Sequence, residues 1–509
     1  MENLCLLTKS VEWIKGKLKL YGITFWSGII VGFLAHGFVF TNKLMCHDEV
    51  GQLFAKGITV TSGRWFLPVI SLIFPDFSMP WLYGIITVIL FTVSACILVK
   101  LFDIKNPVLQ GLTGALIVSF PALTGTFGFM FTSTSYGVSF LLMTVGVYLI
   151  SNKLSYKTFI GIACMILSMG IYQAYVAFGA SLAIVLLIMK ALNDKKEEKS
   201  VIYEGIKSFL SLVISAALYF VIAKIVLVFS KSSFNDYANK ALQGSESLKS
   251  KVISTYISYI KEIFSGQYGL VPTVFSRALH ILCLIFVAVV ILIWIFRKGN
   301  LLNKLVVIAL LILYPFSVNC LVLITGSGTV HTLTMYSFTT LYVLVIALIE
   351  KIIKDKNVKF SHNLGSIVSL LLVGIVVSNV YIANETYLDY KLRYENLYSY
   401  FTQVVTQIKM QPEFKKDTKV AIIGNGQDIP EFYRKFDSIN VISGVSELTP
   451  NMYTRNKFLE YYIGFNGNYA TDIETEKISK TDEFKQMPIY PDSGSIKCID
   501  NCVVVKLGD

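Results

Sequence analysis

Residues that could carry chemistry are concentrated in one polar segment between two long apolar stretches. The segment reads MCHDEVGQLFAKGITVTSGRWFLP; it begins with His47, Asp48 and Glu49, and it ends with Arg64 and Trp65. A carboxylate can take a proton from a hydroxyl group, and a guanidinium can hold the charge of a leaving phosphate. Together these groups would serve the transfer of a sugar from a lipid phosphate to a hydroxyl acceptor.

Two other interpretations of this segment stay open. Asp48 or Glu49 could pair with Arg64 and only fix the loop, because ionisable groups at a membrane boundary are costly unless they are paired or functional. His47 and the two carboxylates are also common metal ligands. Adjacent residues on a helix point in different directions, so three neighbours rarely hold one ion. We therefore infer no cofactor, with a divalent cation as the less favoured alternative.

Weaker candidates lie further along the chain. Tyr172 and Gln173 interrupt a long apolar run and could bind a sugar hydroxyl, although helix packing explains Gln173 equally well. His331 follows a glycine turn and could meet the phosphate, although a lone histidine there is more often a loop residue. Four aromatic residues either line a groove for a prenyl chain or form an interfacial belt: Phe127, Phe129, Phe131 and Tyr136.

The composition indicates that the scaffold of these residues lies in a membrane. The 509 residues are 54% hydrophobic and only 15% charged. That much apolar surface cannot be hidden in one soluble core, so it must face lipid. About 20 apolar residues cross a hydrocarbon layer of about 30 Å, and such stretches recur between Tyr21 and Ala383. The predicted fold class is an all-α polytopic membrane bundle.

We predict eleven membrane-spanning stretches. The apolar run from Lys157 to Leu192 is too long for one helix, and we predict two short spans that turn at Gly170, Tyr172 and Gln173. The other predicted spans lie close to residues 21–40, 79–101, 108–123, 129–150, 209–229, 277–296, 304–324, 333–349 and 364–383.

The charge pattern predicts the orientation of these spans. Most Lys and Arg before residue 385 lie in short runs between apolar stretches, so the net charge of +12 indicates topology rather than a nucleic-acid partner. A cytoplasmic, Lys-rich N-terminus, which we read as an uncleaved anchor, then places the most basic runs inside. Residues 41–64, residues 230–276 and the C-terminal part are predicted to lie outside.

From residue 385 the composition becomes soluble, so we divide the chain into a transmembrane domain, 1–384, and a small extracytoplasmic α/β domain, 385–509. An amphipathic helix to about Met410 precedes the strand KVAIIG, then NVIS, a helix near Phe458 and the final strand CVVVKL. Residues 230–276 show helical apolar spacing and either lie on the membrane surface or pack on the bundle. Cys498 and Cys502 are the one plausible disulfide pair.

A combination of short motifs resembles a known family. HDE in the first outer segment, GRW before the second span, YQ in the double span and the tail MPIYPDSGSIKCIDNCVVVKL resemble the bacterial and phage glucosyltransferases of O-antigen serotype conversion, of the GT-C class. The resemblance implies an undecaprenyl-phosphate-glucose donor and a cell-surface polysaccharide acceptor at the outer face of the plasma membrane. It also implies inverting hexosyl transfer and a catalytic acid, Asp48 or Glu49, of which we favour Asp48.

One residue departs from what a phosphate site favours. His331 is largely neutral at pH 7, whereas a phosphate is better held by Arg or Lys. Arg64 is therefore our first choice for the donor phosphate and Lys43 the second, and we expect Trp65 to contact the sugar or the prenyl chain. A transporter or flippase of lipid-linked sugars is the alternative function. Transporters often carry internal repeats and charges at mid-membrane depth, whereas this sequence shows no evident repeat, its predicted spans are nearly free of acidic residues, and its charges gather on one outer face.

Overall fold

The computed structural model describes residues 2–44, 46–52, 60–75, 77–152, 155–193, 198–235, 247–297, 301–325, 331–354, 361–424 and 452–508. Helices make up most of this part of the chain. The chain forms two compact units. Of the described residues, those within 2–43 and 60–386 form the first unit, and those within 44–52, 387–424 and 452–508 form the second. The polar segment with the candidate acids and Arg64 is thus divided between the two units.

The helices begin where the sequence carries local start signals. Pro80, Pro107 and Pro121 occupy first helical positions, where the missing N–H of proline is not needed, and the Asn106 side chain accepts hydrogen bonds from two N–H groups of the next turn. In chain order the helices up to residue 410 are α1 (Glu2–Thr41), α2 (His47–Gln52), α3 (Leu67–Ile70), α4 (Pro80–Leu101), α5 (Pro107–Ser119), α6 (Pro121–Phe127), α7 (Met130–Ile150), α8 (Tyr156–Ile171), α9 (Tyr175–Ala191), α10 (Glu198–Phe229), α11 (Leu248–Ser265), α12 (Val274–Arg297), α13 (Leu301–Val318), α14 (Cys320–Thr325), α15 (Thr339–Lys354) and α16 (Ser361–Met410).

Several of these helices could cross a membrane by length and composition. The pair α5 and α6 is one further candidate, bent by 40° at its break, and α8 and α9 are apolar but shorter. Each of the eleven predicted stretches overlaps a helix or a helix pair. Among the described residues, eight candidates meet the criteria outright: Lys19–Thr41, Pro80–Leu101, Met130–Ile150, Ser200–Phe229, Val274–Phe296, Leu301–Val318, Tyr336–Lys354 and Asn363–Met410.

The long apolar run consists of two helices, as predicted, with a break at residues 172–174 between α8 and α9. Small residues bring α7 close to α8. A Cβ on Gly146 would lie 3.0 Å from the carbonyl oxygen of Gly161, and one on Gly161 would lie 2.9 Å from that of Gly146. The hydroxyls of Ser139 and Ser168 also share a hydrogen bond of 3.0 Å. The glycine pair joins the end of α7 to the start of α8, and the serine pair joins the middle of α7 to the end of α8.

The segment between α10 and α12 contains the amphipathic helix α11. One face packs against α12, α13 and α14, so the interpretation of a helix packed on the bundle is correct for that face. Its buried residues include Thr255, Tyr259, Glu262 and Ile263. The apolar stripe that the sequence pattern detects faces outward and is exposed at Ile253, Ile257, Ile260 and Phe264.

The second unit is a small α/β structure. Its sheet has the strand order β2-β1-β4-β3, in which β1 is parallel to β2 and β4, and β3 and β4 form an antiparallel hairpin. The strands predicted at KVAII and CVVVK are confirmed, whereas NVIS lies outside the described residues. After α16 the elements are β1 (Lys419–Ile423), α17 (Met452–Tyr461), β2 (Asn468–Tyr469), α18 (Asp472–Ser479), α19 (Asp482–Lys485), β3 (Ile496–Ile499) and β4 (Cys502–Lys506).

Two expectations about this region are corrected. The span predicted to end near residue 383 and the following amphipathic helix form one continuous helix, α16. No glycine or proline separates them, because none occurs between Gly374 and Pro412. Cys498 and Cys502, the one pair for which a disulfide was plausible, are both free thiols. Cys498 lies opposite Val503, so Cys502, one position away, points to the other face of the sheet.

Candidate active site

The acidic residues of the first polar segment lie on α2, which belongs to the second unit. The helix begins at His47, and Asp48 and Glu49 occupy its first turn, where negative charge interacts favourably with the helix dipole. Val50 is buried in the core of this unit, beside Phe401 of α16 and Val503 of β4. The short helix α2 is thereby held in the second unit by an apolar anchor.

Asp48 and Glu49 have different environments although they are adjacent. Glu49 is fully buried, whereas Asp48 is only partly buried. Burial raises the pKa of the Tyr462 phenol, and the negative charge of Glu49 raises it further. Burial likewise raises the pKa of the Cys46 thiol well above its ordinary value, with further contributions from the charges of Glu49 and then Asp48. Glu49 is therefore buried near the Cys46 thiol and the Tyr462 phenol, and Asp48 is the more accessible acid. The side chain of His47 lies outside the described part.

In the first unit, the segment around Arg64 is locked onto the end of α8. After a 3-10 turn, Gly63 takes a φ of +79°, a conformation that glycine adopts without strain. The N–H of Phe66 donates a hydrogen bond of 2.8 Å to the carbonyl of Gly170. The indole of Trp65 packs against the same glycine, where a Cβ would lie 2.8 Å from the ring. The absence of a side chain at Gly170 makes this close approach feasible.

Two tyrosines position the guanidinium of Arg64. Its Nη1 donates a hydrogen bond of 2.9 Å to the hydroxyl of Tyr136, on α7. The guanidinium carbon lies 5.3 Å from the ring centre of Tyr172 and 5.8 Å from that of Tyr136. The two rings stack with centres 4.0 Å apart. Both rings are almost fully buried, and Arg64 itself is partly exposed.

Gln173 fastens the turn that precedes Arg64. Its Nε2 donates hydrogen bonds of 2.7 Å to the carbonyl of Ser62 and 2.9 Å to the hydroxyl of Tyr219. The Tyr219 hydroxyl donates in turn to the carbonyl of Gly63, at 3.1 Å. The amide nitrogen is thus satisfied within the protein, which favours the packing interpretation of Gln173. We call the side chains of Arg64, Trp65, Tyr136, Tyr172, Gln173 and Tyr219 the Arg64 cluster.

The remaining candidates occupy other segments. His331 is exposed and directly precedes the 3-10 turn Thr332–Thr334, where its carbonyl accepts a hydrogen bond of 2.7 Å from the Thr334 hydroxyl. The Thr332 hydroxyl donates to the carbonyl of Tyr268, in the loop after α11. Lys43 is partly exposed shortly after the end of α1. The structure therefore brings Arg64, Trp65, Tyr172 and Gln173 together in one cluster.

The described part of the chain contains no set of three His, Cys, Asp or Glu side chains suited to one metal ion. The chemistry available from the described residues is that of a partly exposed carboxylate, Asp48, and an oriented guanidinium, Arg64. A carboxylate can accept a proton, and a guanidinium can bind a phosphate through paired N–H groups.

Two members of the Arg64 cluster were not predicted as site residues. The sequence suggests Tyr136 only for a lipid groove or an aromatic belt, and it does not single out Tyr219. A signal for Tyr136 exists, because an arginine close to a membrane boundary requires acceptors and aromatic faces nearby. Tyr219 gives no such signal, since it is one of several aromatic residues within an apolar helix.

Comparison with known proteins identifies one family. Residues 37–349, more than half of the chain, match the family model described as Glucosyl transferase GtrII. The match includes α2, the Arg64 cluster and His331. Neither a curated protein nor a solved structure matches the chain significantly.

Proposed function

The chain belongs to the glucosyl transferase GtrII family, and from this premise we propose that it transfers glucose from undecaprenyl-phosphate-glucose to a cell-surface polysaccharide of the O-antigen type. Family membership makes the chain a glycosyltransferase, and its long apolar helices make it a membrane protein. We further propose eleven spans in a GT-C-like bundle of the plasma membrane, with the N-terminus inside and both the active site and the C-terminal domain outside.

Arg64 is proposed to bind the phosphate of the donor. The observation that supports this role is the orientation of its guanidinium by Tyr136 and Tyr172. A guanidinium that is already positioned stabilises the developing phosphate charge without further reorganisation. Lys43 and His331 are secondary candidates for the same phosphate. Trp65 is proposed to contact the sugar or the prenyl chain.

Tyr172 and Gln173 are proposed to hold Arg64 in position. The buried ring of Tyr172 lies under Arg64, and the amide of Gln173 holds the preceding turn. Both side chains would thereby fix the cation at the sugar-binding region. Direct hydrogen bonding of either side chain to a sugar hydroxyl stays a prediction.

Asp48 is proposed as the general base and Glu49 as its buried neighbour. In the proposed step, the Asp48 carboxylate takes the proton of the acceptor hydroxyl while the hydroxyl oxygen attacks the anomeric carbon. The bond between that carbon and the phosphate oxygen breaks, and the lipid phosphate leaves with both electrons. A single displacement of this kind inverts the anomeric configuration. The partial exposure of Asp48 supports its choice over Glu49.

The decisive experiment is a transfer assay with the purified full-length protein. Labelled undecaprenyl-phosphate-glucose is supplied with polysaccharide from the host, and the wild type is compared with Asp48→Asn. A matched control is Asp482→Asn, an exposed carboxylate of the same unit, with 94% of its side chain accessible. Transfer that is lost only in a folded Asp48→Asn variant supports the proposal. Donor binding without transfer by the wild type would favour transport of the lipid-linked sugar instead.

A further inference from the structure

The amphipathic helix α11 has polar side chains on its inner side and apolar side chains on its outer side. Thr255, Ser258 and Glu262 are buried, on the side that packs against α12, α13 and α14. A helix on a water-exposed surface shows the reverse arrangement, with its polar face outward. The surroundings of the outer side of α11 are therefore expected to be apolar. Four large apolar residues, each between 45% and 64% exposed, form this outer side, and we call them the α11 stripe: Ile253, Ile257, Ile260 and Phe264.

The α11 stripe is continuous and has a lysine on each side. Its residues follow one another at intervals of four, three and four positions, so they form a line along the helix axis. At about 3.6 residues per turn, the exposed Lys249 lies about 50° to one side of this line, and the exposed Lys261 lies about 70° to the other. A lysine at such a boundary keeps its ammonium among polar groups while its stem covers apolar surface. The pattern is typical of a helix between lipid headgroups and acyl chains.

Contacts of α11 place it at one end of two candidate membrane spans, α12 and α13. The Tyr256 hydroxyl donates a hydrogen bond to the carbonyl of Ile312, and the Tyr256 ring lies 4.3 Å from that of Phe316, centre to centre. Nη1 of Arg277 donates a hydrogen bond of 3.1 Å to the carbonyl of Ser265, the last residue of α11. Phe316 lies in the last turn of α13 and Arg277 in the first turn of α12. Both contacts are therefore at the same end of this helix pair.

The depth of these contacts fits a helix at a membrane boundary. Ile312 is six residues before the end of α13, which corresponds to about 9 Å along the helix axis. Helices that lie in the interface bury their apolar faces about 5–10 Å into the boundary between headgroups and acyl chains. Ile312 is itself 58% exposed, so the outward apolar surface of α13 continues beside α11.

We propose that α11 lies in the membrane interface and inserts the α11 stripe among the acyl chains of the bilayer lipids. The apolar outer face, the flanking lysines and the position at the end of two candidate spans support this assignment. Glu262, on the inner side of the same helix, accepts hydrogen bonds from the N–H groups of Tyr268 and Leu270. The interfacial helix would thereby hold the loop that follows it close to the membrane surface.

The first test measures cysteine reactivity in lipid nanodiscs that each hold one copy of the full-length protein. A water-soluble maleimide that does not enter the bilayer reacts with thiols in water, because the thiolate is the reactive form. Ile257→Cys and Ile260→Cys should react at least about tenfold more slowly than Ile473→Cys, whose position is 81% exposed on α18 of the second unit. Mass spectrometry of the peptide with the new cysteine separates its signal from native thiols. Equal rates for the stripe and for Ile473→Cys would overturn the proposal.

The second test identifies what covers the α11 stripe. Photoreactive benzoylphenylalanine replaces Ile257 or, as a lipid-facing control, Leu370, which is 71% exposed on α16. After illumination in phospholipid vesicles, both positions should give adducts with phospholipid. Cross-links from position 257 to peptides of this chain or of a second copy, without lipid adducts, would show that protein covers the stripe, and the proposal would be wrong. Neither test uses a sugar donor, so both are independent of the proposed transfer reaction.

Discussion

The hydroxyl of Tyr136 determines where the guanidinium of Arg64 lies. Tyr136→Phe removes this acceptor but retains the ring that stacks on Tyr172. A hydrogen bond to a charged group contributes about 1.5–3 kcal/mol, although partial exposure of Arg64 reduces this value. We expect the KM for the lipid-phosphate donor to rise about tenfold, with a smaller change in kcat. Steady-state transfer kinetics over a range of donor concentrations measure both constants.

The control for this variant is Tyr148→Phe. Tyr148 lies on the same helix, α7, and its ring lies 4.7 Å below the ammonium of Lys100, away from the Arg64 cluster. The control should leave the donor KM unchanged. An equal rise in both variants would indicate general loosening of α7, and an unchanged KM in Tyr136→Phe would remove Tyr136 from the donor site.

The environments of the two adjacent acids lead to opposite expectations. Glu49 is enclosed beside Tyr462, so an acceptor hydroxyl does not reach it without rearrangement of the second unit. We expect Glu49→Gln to keep transfer within about threefold of wild type, whereas loss of a general base costs roughly 10²- to 10⁴-fold. Initial transfer rates of Glu49→Gln and Asp48→Asn, compared at equal folded concentration, make this distinction. A larger loss in Glu49→Gln would assign the base to Glu49.

At the residue scale, the sequence singles out most candidate residues of the first unit, but it does not distinguish the two adjacent acids of the second unit. Arg64 and Trp65 are noticeable in the sequence because charged and polar groups beside an apolar run are costly unless they are paired or functional. Tyr172 and Gln173 are noticeable because they interrupt an apolar run. The choice between Asp48 and Glu49 could not be made from their positions. It depends on which side of α2 meets the core around Val50, and that core is built from residues more than 340 positions away.

Among the elements, the join between the Arg64 segment and α8 depends on Gly170. Gly170→Ala would place a methyl group 2.8 Å from the Trp65 ring and 2.9 Å from the Cβ of Phe66. Overpacking of this kind typically costs about 1–3 kcal/mol. We expect a lower thermal midpoint together with a reduced transfer rate. Gly22→Ala is the matched control, since a Cβ at Gly22 would meet no atom within 4 Å, and a similar loss there would refute a specific role for Gly170.

The loop after α11 is held by one buried carboxylate. Glu262 accepts hydrogen bonds from the N–H groups of Tyr268, Leu270 and Val271. Burial raises the pKa of Glu262 above 4.5, although the three N–H groups and the charge of Arg277 oppose the rise.

This raised pKa predicts a specific pH dependence. A carboxyl group whose pKa is higher in the folded state binds its proton more tightly there, so the stability it contributes is lost as the pH rises through that pKa. Relative to Glu262→Gln, the wild type should lose stability as the pH rises above 4.5, by at most about 1.4 kcal/mol per pH unit. Thermal midpoints of both proteins between pH 4 and 7 test this sign. A difference that grows in favour of the wild type would contradict it.

The elements themselves were largely predictable, because apolar length and turn residues are local signals. The break between α8 and α9 and the two central strands of the C-terminal sheet, β1 and β4, follow from such signals. The continuity of α16 was missed because a change from apolar to polar composition was interpreted as a boundary. A change from apolar to polar residues alters whether a helix contacts lipid or water, but it does not end the helix. Helices end reliably only at glycine, proline or a capping residue.

For the whole molecule, the division into two units follows from contacts that are distant in sequence. The described residues between 44 and 52 belong to the second unit, although they are next to the first predicted span in sequence. The reason lies in Val50, which completes an apolar core with residues of α16 and β4. Composition along the chain indicates a domain boundary only where polarity changes. It therefore cannot reveal that the short helix α2 packs into a core whose other residues are distant in sequence.

The number of spans decides on which side of the membrane the two ends lie. Eleven spans place the N-terminus and the C-terminus on opposite sides, whereas eight, the number of described helices that meet the span criteria outright, would place both ends on one side. The Lys-rich start favours a cytoplasmic N-terminus. Full-length fusions should therefore give a fluorescent N-terminal green fluorescent protein, an active C-terminal alkaline phosphatase and a dark C-terminal green fluorescent protein. Fluorescence at both ends would require an even number of spans, and it would place the C-terminal domain in the cytoplasm, away from the polysaccharide.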